Sequence, residues 1–383
     1  MLQIYHSRLK KIISFFFTAW RLDFLPKSKW GFLNLLKLSV YPIFAAFGLF
    51  CVTWHLFVQI EDYSDLIDVA FTCTFVVGLY QDLMIYTVIA VYNKKRIMEI
   101  FEYFENLLIL KDPLMFDLRQ KHFEIITKIG QMCAKYFLAG TFAAWIEIVA
   151  YNLLRSDFVS PMLMYIPGLP KESPYYQSCN VIFQLLLFLF GYELIMFSDV
   201  IIMITIICCQ AELEAIAELF SILNDETVAA NEAGLIIKTA HYHHRILADQ
   251  ANKLTMAFWH IFLQKLMTIM LYLCTMLLTF QAVNEIPIAA LLSIIVMMSE
   301  GLILCYFGQI LRDSSEKMAQ SIYMTKWYEM KTRDQKDMLM LMMRFSYPVK
   351  IETFGFGTVS LFTFLQICKA SASYAAILYT VFN

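Results

Sequence analysis

The sequence predicts an all-α membrane protein of seven transmembrane helices, with a cytoplasmic N-terminus, an extracellular C-terminus and cytoplasmic helix extensions forming an anchor domain. Three observations carry that expectation. Sixty per cent of the 383 residues are apolar and the mean hydropathy is +0.60, well above the roughly 45–50% apolar usage of soluble domains. Seven hydrophobic runs, near 36–60, 66–92, 134–154, 180–208, 260–283, 287–311 and 355–382, are each long enough to cross about 30 Å of hydrocarbon. The connections between them carry, on alternate sides, 24 and 2 Lys or Arg residues, and such residues collect in cytoplasmic loops. Residues 1–383 are therefore expected to form a single seven-helix domain, with the anchor mainly in 312–356.

Taken in order, Lys10 and Lys11 before the run Ile12 to Trp20 imitate a signal peptide, but Arg21 and Asp23 follow at once and no small-x-small cleavage site exists. Residues 1–33 are expected to be a retained cytoplasmic and interfacial segment. The short connections 61–65 and 281–286 make spans one with two, and five with six, tight antiparallel hairpins. Between spans three and four the loop from Tyr151 to Tyr176 holds Pro161, Pro167, Gly168, Pro170 and Pro174. Such a stretch cannot sustain a helix and is expected to be an irregular lid over the outer face. The basic connections 93–128, 209–258 and 312–350 are charged and periodic, as in Phe101-Glu-Tyr-Phe-Glu-Asn-Leu-Leu108 and Met338-Leu-Met-Leu-Met-Met343. They read as helices that extend the spans into the cytoplasm and pack on one another or on a second subunit.

The nine cysteines lie mostly within apolar runs and imply no disulfide framework. No Asn-x-Ser/Thr sequon, nucleophile elbow, phosphate loop or zinc motif is present. An enzyme is not expected, nor a cofactor, metal or nucleic-acid partner. The cluster His241-Tyr-His243-His244-Arg245 is the one candidate metal box, but no third ligand stands at a telling spacing. It reads as a solvated cytoplasmic helix face.

Ionisable residues within the spans, Lys135, Glu147, Glu193, Asp199, Lys265, Glu300 and Lys369, are costly in hydrocarbon unless paired or hydrated. Counting depth at about 1.5 Å per residue places Glu193, Glu300 and Lys369 at one level and Lys135 and Asp199 at another, so pairs at matching depth are expected. The outer halves of spans two to four supply Phe71, Thr74, Phe75, Gly78, Thr141, Trp145, Phe183 and Leu187. These read either as helix-packing core or as the apolar walls of a ligand cavity with Glu147 near its rim. On the last span, Ser373, Ile377 and Thr380 follow at i, i+4 and i+7 and share one stripe. That stripe reads either as a small-residue packing face or as a pore lining.

The motifs Cys305-Tyr-Phe-Gly-Gln309, Ala319-Gln-Ser-Ile-Tyr323, Trp327-Tyr328, Met342-Met-Arg344 and Ser360-Leu-Phe-Thr-Phe364, leading to Lys369-Ala-Ser-Ala-Ser-Tyr374, closely resemble the insect odorant receptors across about residues 300–380. Over the rest of the chain the resemblance rests on length, seven spans and inverted topology. It implies a ligand-gated, non-selective cation channel in the plasma membrane of sensory dendrites. In such a heterotetramer, variable subunits bind a small volatile organic ligand and join a common co-receptor, with lipid around them. The co-receptor carries a longer insertion between spans four and five, for which 209–258 leaves no room, so the chain resembles a tuning subunit. Aligning Thr358-Val-Ser-Leu361 and Tyr374 with the co-receptor pattern implies a hydrophobic gate at Ile377 and a filter-like position at Thr380, where the co-receptor has Gln. On span three, Trp145 and Thr141 match a Trp and a small residue one turn before it. A gustatory receptor channel, and beyond it a G-protein-coupled receptor or transporter, are the alternative readings.

Overall fold

Eleven helices and one short hairpin are seen in the computed structural model, which describes residues 2–21, 23, 31–59, 66–110, 112–155, 164–282, 288–353, 355 and 357–382. The helices are α1 (Leu2–Trp20), α2 (Gly31–Trp54), α3 (Leu66–Tyr86), α4 (Lys94–Ile109), α5 (Phe116–Arg155), α6 (Tyr176–Ser221), α7 (Glu226–Asn231), α8 (Ala233–Ala282), α9 (Ile288–Tyr323), α10 (Thr332–Phe345) and α11 (Leu361–Phe382). Seven of them, α2, α3, α5, α6, α8, α9 and α11, are long and apolar enough to cross a membrane. A helix of 46 or 50 residues, as in α6 and α8, is about 70–75 Å long. That is more than twice the hydrocarbon thickness of about 30 Å. The excess builds a charged end, where the extensions of α5, α6, α8 and α9 pack with α4, α7 and α10. The connections 61–65 and 283–286, expected to close two hairpins, lie outside the described residues.

Helix α6 is the axis of the bundle. It packs on α5, α9, α8 and α3 and is buried over most of its length, whereas α2, α5 and α11 leave most of their apolar surface uncovered. The main core runs from Phe17 and Tyr86 through Phe104, Phe123, Phe220 and Phe258 to Phe345. Helix α1 belongs to it: Phe16 and Trp20 pack on Phe197, and the Tyr86 hydroxyl donates to the Trp20 carbonyl at 3.1 Å. A smaller cluster of Cys51, Val52, Leu79, Met164 and Leu187 lies at the opposite end. There the described part of the Pro-rich loop, 164–175, is irregular, as its prolines require. It is fastened to α6 by Gln184 Nε2 donating to the Met164 carbonyl at 2.7 Å and by the Ile166 amide donating to Asn180 Oδ1 at 2.9 Å.

The seventh span begins later than hydropathy indicates. Residues Glu352–Thr353 (β1) and Gly357–Thr358 (β2) form an antiparallel hairpin, turned by Gly355 and Gly357 at φ of 85° and 74°. Side chains rarely adopt such φ values, so the hairpin interrupts any helix up to Gly357, and α11 begins at Leu361. The hairpin is tied to α8 by Thr353 Oγ1 donating to the Trp259 carbonyl at 3.0 Å. Gly308 lets α9 approach the Val359 carbonyl more closely than any Cβ would allow.

Candidate functional site

A cavity of about 170 Å³ lies between α3, α5, α6, α8 and α9, on the side of the bundle facing the Pro-rich loop. Helical spacing explains which residues reach it. Thr141, Trp145 and Ile148 on α5 follow at i, i+4 and i+7, as do Phe188, Tyr192 and Ile195 on α6, so each set forms one stripe. Trp145 is held by stacking on Phe142 at 5.6 Å and by tilted contacts with Phe188 at 5.6 Å and Tyr192 at 5.9 Å. Thr141 and Tyr192 share a hydrogen bond of 3.0 Å between their hydroxyls, which fixes one polar point on an aromatic wall.

Of the pocket residues expected from sequence, Thr74, Phe75, Gly78, Thr141, Trp145 and Leu187 line the cavity. Phe183 does not. It sits one turn nearer the lid than Leu187, where α2 closes on it, and its ring meets Phe44 and Phe47 at 5.3 Å each. The side chain of Phe71 lies outside the described residues. Glu147 is exposed and lines no rim, because two residues beyond Trp145 is about 200° around the helix.

The floor of the cavity is polar and comes from residues that the pattern of aromatic and hydroxyl positions does not reveal: Gln81 and Asp82 on α3, Thr268 on α8 and Glu300 on α9. Beneath it, Lys265 is fully buried with Nζ 2.8 Å from Asp199 Oδ1 and 2.7 Å from Glu300 Oε1. The cluster joins α6, α8 and α9, and Asp82 lies within electrostatic reach of Lys265 and Glu300. Gly191 lets α6 pass the Asp82 carboxylate, where a Cβ would collide with Oδ2. The pairs expected from matching depth are not formed. Lys135 and Lys369 are exposed, and Glu193 faces Trp20 rather than a cation. Rotation about the helix axis, which depth ignores, sends these groups to different neighbours. Asp82 itself carried the signal of an ionisable residue inside an apolar run.

The last helix has two faces. Ile367, Ser371 and Ala375 are buried, and Ser371 Oγ lies 3.1 Å from the Met270 carbonyl on α8. Ser373, Ile377 and Thr380 are exposed on the other side. The hydroxyls of Ser373 and Thr380 donate back to the Lys369 and Ile377 carbonyls at 3.0 and 2.8 Å. Such internal bonding leaves the stripe without an unsatisfied donor and makes it tolerable in apolar surroundings.

At the charged end the histidine cluster is only in part a solvated face: His241, Tyr242 and Arg245 are exposed, whereas the other two histidines turn inward. His243 and His244 are both 3% exposed. His243 bridges Arg119 Nη2 at 2.8 Å and Asp112 Oδ2 at 3.0 Å, while Arg119 makes a fork to the Glu212 carboxylate at 2.8 and 2.9 Å. Partial burial works against ionisation of Asp112, yet the hydrogen bonds from His243 and the Leu114 amide hold its carboxyl below the ordinary range. The segment before α5 is thereby locked onto α6 and α8. Among the described residues no group of three or more His, Cys, Asp or Glu side chains could hold a metal.

Comparison with known proteins gives two results. The sequence matches the family described as 7tm Odorant receptor over residues 63–372. The structure is similar to that of the insect olfactory receptor OR5 from Machilis hrabei in complex with eugenol, with a TM-score of 0.78 at 13% identity, covering 99% of this chain and 99% of that chain. A second structure of the insect olfactory receptor OR5 from Machilis hrabei aligns with a TM-score of 0.74 at 12% identity, over 98% of this chain and 99% of that one. At such identities the structural likeness speaks for the fold.

Proposed function

Since this chain belongs to the insect odorant receptor family of ligand-gated channels, we propose that it is an odorant-tuning subunit. In this reading it binds a small, mostly apolar volatile around Trp145 and gates a non-selective cation pore in a tetramer with a common co-receptor. Family membership makes it a multi-pass membrane protein and a channel subunit rather than an enzyme, and selects among the alternatives that the sequence left open. The observation that carries the proposal is the cavity: aromatic walls, a fixed hydroxyl pair and a polar floor, placed between five spans. Apolar pockets with a few placed polar groups are the usual form of small-molecule sites. The eugenol complex of the Machilis hrabei receptor supports a ligand of that size and class.

In the proposed orientation the N-terminus and charged end are cytoplasmic and the C-terminus is outside, as the basic residues imply. The tuning role is supported by the short link between α6 and α8, which end and begin at Ser221 and Ala233. Four copies of α11, or a mixture with co-receptor helices, would surround the pore with Ser373, Ile377 and Thr380 turned to the axis. A ring of Ile377 excludes water, and an ion crossing it sheds hydration that nothing there replaces. The ligand opens the pore only by its differential affinity for the open state.

The test is whole-cell recording from cells expressing the chain with and without a co-receptor, using a panel of volatiles and the Trp145→Ala variant. Loss of a buried contact worth about 1.5–3 kcal/mol should raise the effective ligand concentration roughly ten- to a hundredfold at unchanged surface expression. Identical concentration series for parent and variant would place the ligand elsewhere. A C-terminal tag labelled only after permeabilisation would overturn the orientation.

A further inference from the structure

The cavity floor contains acceptors that the protein itself leaves unused. Gln81 Oε1 and Asp82 Oδ1 are buried and have no hydrogen-bond partner among the described residues, and both side chains line the cavity. Each residue is 96% or more buried. Leaving such a group unsatisfied in an apolar interior costs its full desolvation penalty, and more where charge is involved. Charge points the same way. Asp82, Asp199 and Glu300 are three buried carboxyl groups near Lys265, the one buried cation among the described residues at this floor, so the floor is short of positive charge. The opposite wall, with Phe75, Trp145 and Phe188, is aromatic. A cavity of about 150 Å³ is known to accommodate benzene, so the observed 170 Å³ suits one ring and a short side arm.

From this geometry we infer that the ligand is an apolar, single-ring-sized molecule carrying one hydrogen-bond-donating head, a hydroxyl or an ammonium, which is received by Gln81 and Asp82. This rests on the cavity being the odorant site and adds the chemical class that it selects. Its ring lies along Trp145 and Phe188, and its head replaces the donor that the floor lacks. A hydrocarbon or ester of the same shape covers the walls but leaves both acceptors buried and unpaired. Discrimination of this kind exceeds what one extra methylene achieves, because the penalty falls on the protein's own polar groups. Gly191 contributes by placing no Cβ against the Asp82 carboxylate.

The experiment compares 2-phenylethanol, 2-phenylethylamine and propylbenzene, which have the same number of non-hydrogen atoms, in two measurements. Binding is read as thermal stabilisation of the purified full-length chain in lipid nanodiscs, and gating as current in cells containing a co-receptor. For the parent, the alcohol, the amine or both should bind roughly ten- to a hundredfold more tightly than propylbenzene. Gln81→Met should reduce that preference while preserving shape, and Asp82→Asn should reduce it more for the amine than for the alcohol. Equal binding of all three by the parent overturns the inference, as does a preference unchanged in both variants or no binding of any of the three. Donor-selective binding without current would support the inference and refute gating from this cavity. Equal currents from all three would do the reverse.

Discussion

Lys265 shows how much one residue can hold in place. It is the buried cation between Asp199 and Glu300, and so ties α6, α8 and α9 together under the cavity. Removing one partner of such a group is far worse than never having had it, because the remaining charges stay buried and uncompensated, at a cost of about 3–5 kcal/mol. Lys265→Met should therefore lower the unfolding temperature of the purified chain markedly. Adding Asp199→Asn and Glu300→Gln should recover most of the loss, since a neutral cluster needs no counter-ion. Thermal unfolding in detergent checks this, and a Lys265→Met protein as stable as the parent would show that the cluster is hydrated. The family motifs and the aromatic stripe made Trp145 and Thr141 legible from sequence, and Glu300 stood out as an ionisable residue within a span, but its meeting with Gln81, Asp82 and Thr268 on two other helices was not legible.

At the scale of the element, α11 divides its labour between two faces. Ile367, Ser371 and Ala375 hold it to its own subunit, and Ser373, Ile377 and Thr380 remain free for an assembly. Replacing Ile377 by Ser should wet the proposed ring and raise the odorant-independent current severalfold, because closure there depends on excluding water rather than on charge. Thr380→Lys should cut cation conductance with less effect on odorant potency, since a fixed positive charge at the mouth opposes entry without touching the cavity. Recordings with surface expression matched decide both. Basal current and selectivity equal to the parent in both variants would assign the pore to partner subunits.

On the whole-molecule scale, the apolar surface that the subunit fails to cover is distributed unevenly. At the charged end Trp327, Tyr328, Leu339, Met340, Met343 and Tyr347 are exposed, in a region whose polar partners would be solvated rather than in lipid under the proposed orientation. Exposed aromatic and methionine clusters there fit subunit contacts. Trp327→Asp or Tyr328→Asp should leave membrane insertion intact and shift the protein from tetramer to smaller species in native detergent electrophoresis. Unchanged oligomer size would place the contacts elsewhere. Tight packing around α6 together with open α2, α5 and α11 surfaces leaves room for motion between the cavity and the proposed pore that a uniformly packed bundle would resist.

The seven spans and the helical extensions of the basic connections were legible in the residue order, because hydropathy, chain length and helical period are local quantities. Depth along the spans also grouped six residues that line one cavity, Thr74, Phe75, Gly78, Thr141, Trp145 and Leu187, although the sequence left open whether they were packing core or pocket wall. Tertiary structure alone decided the rest. The partner of Lys265, the burial of His243 and His244, the withdrawal of Phe183 against α2 and the hairpin that delays α11 all depend on how neighbouring helices are rotated and how closely they approach. Those quantities are set by packing between segments far apart in sequence, as in the Asn93 side chain donating to the Ala257 carbonyl 164 residues away at 2.9 Å. No single helix encodes its rotation against another.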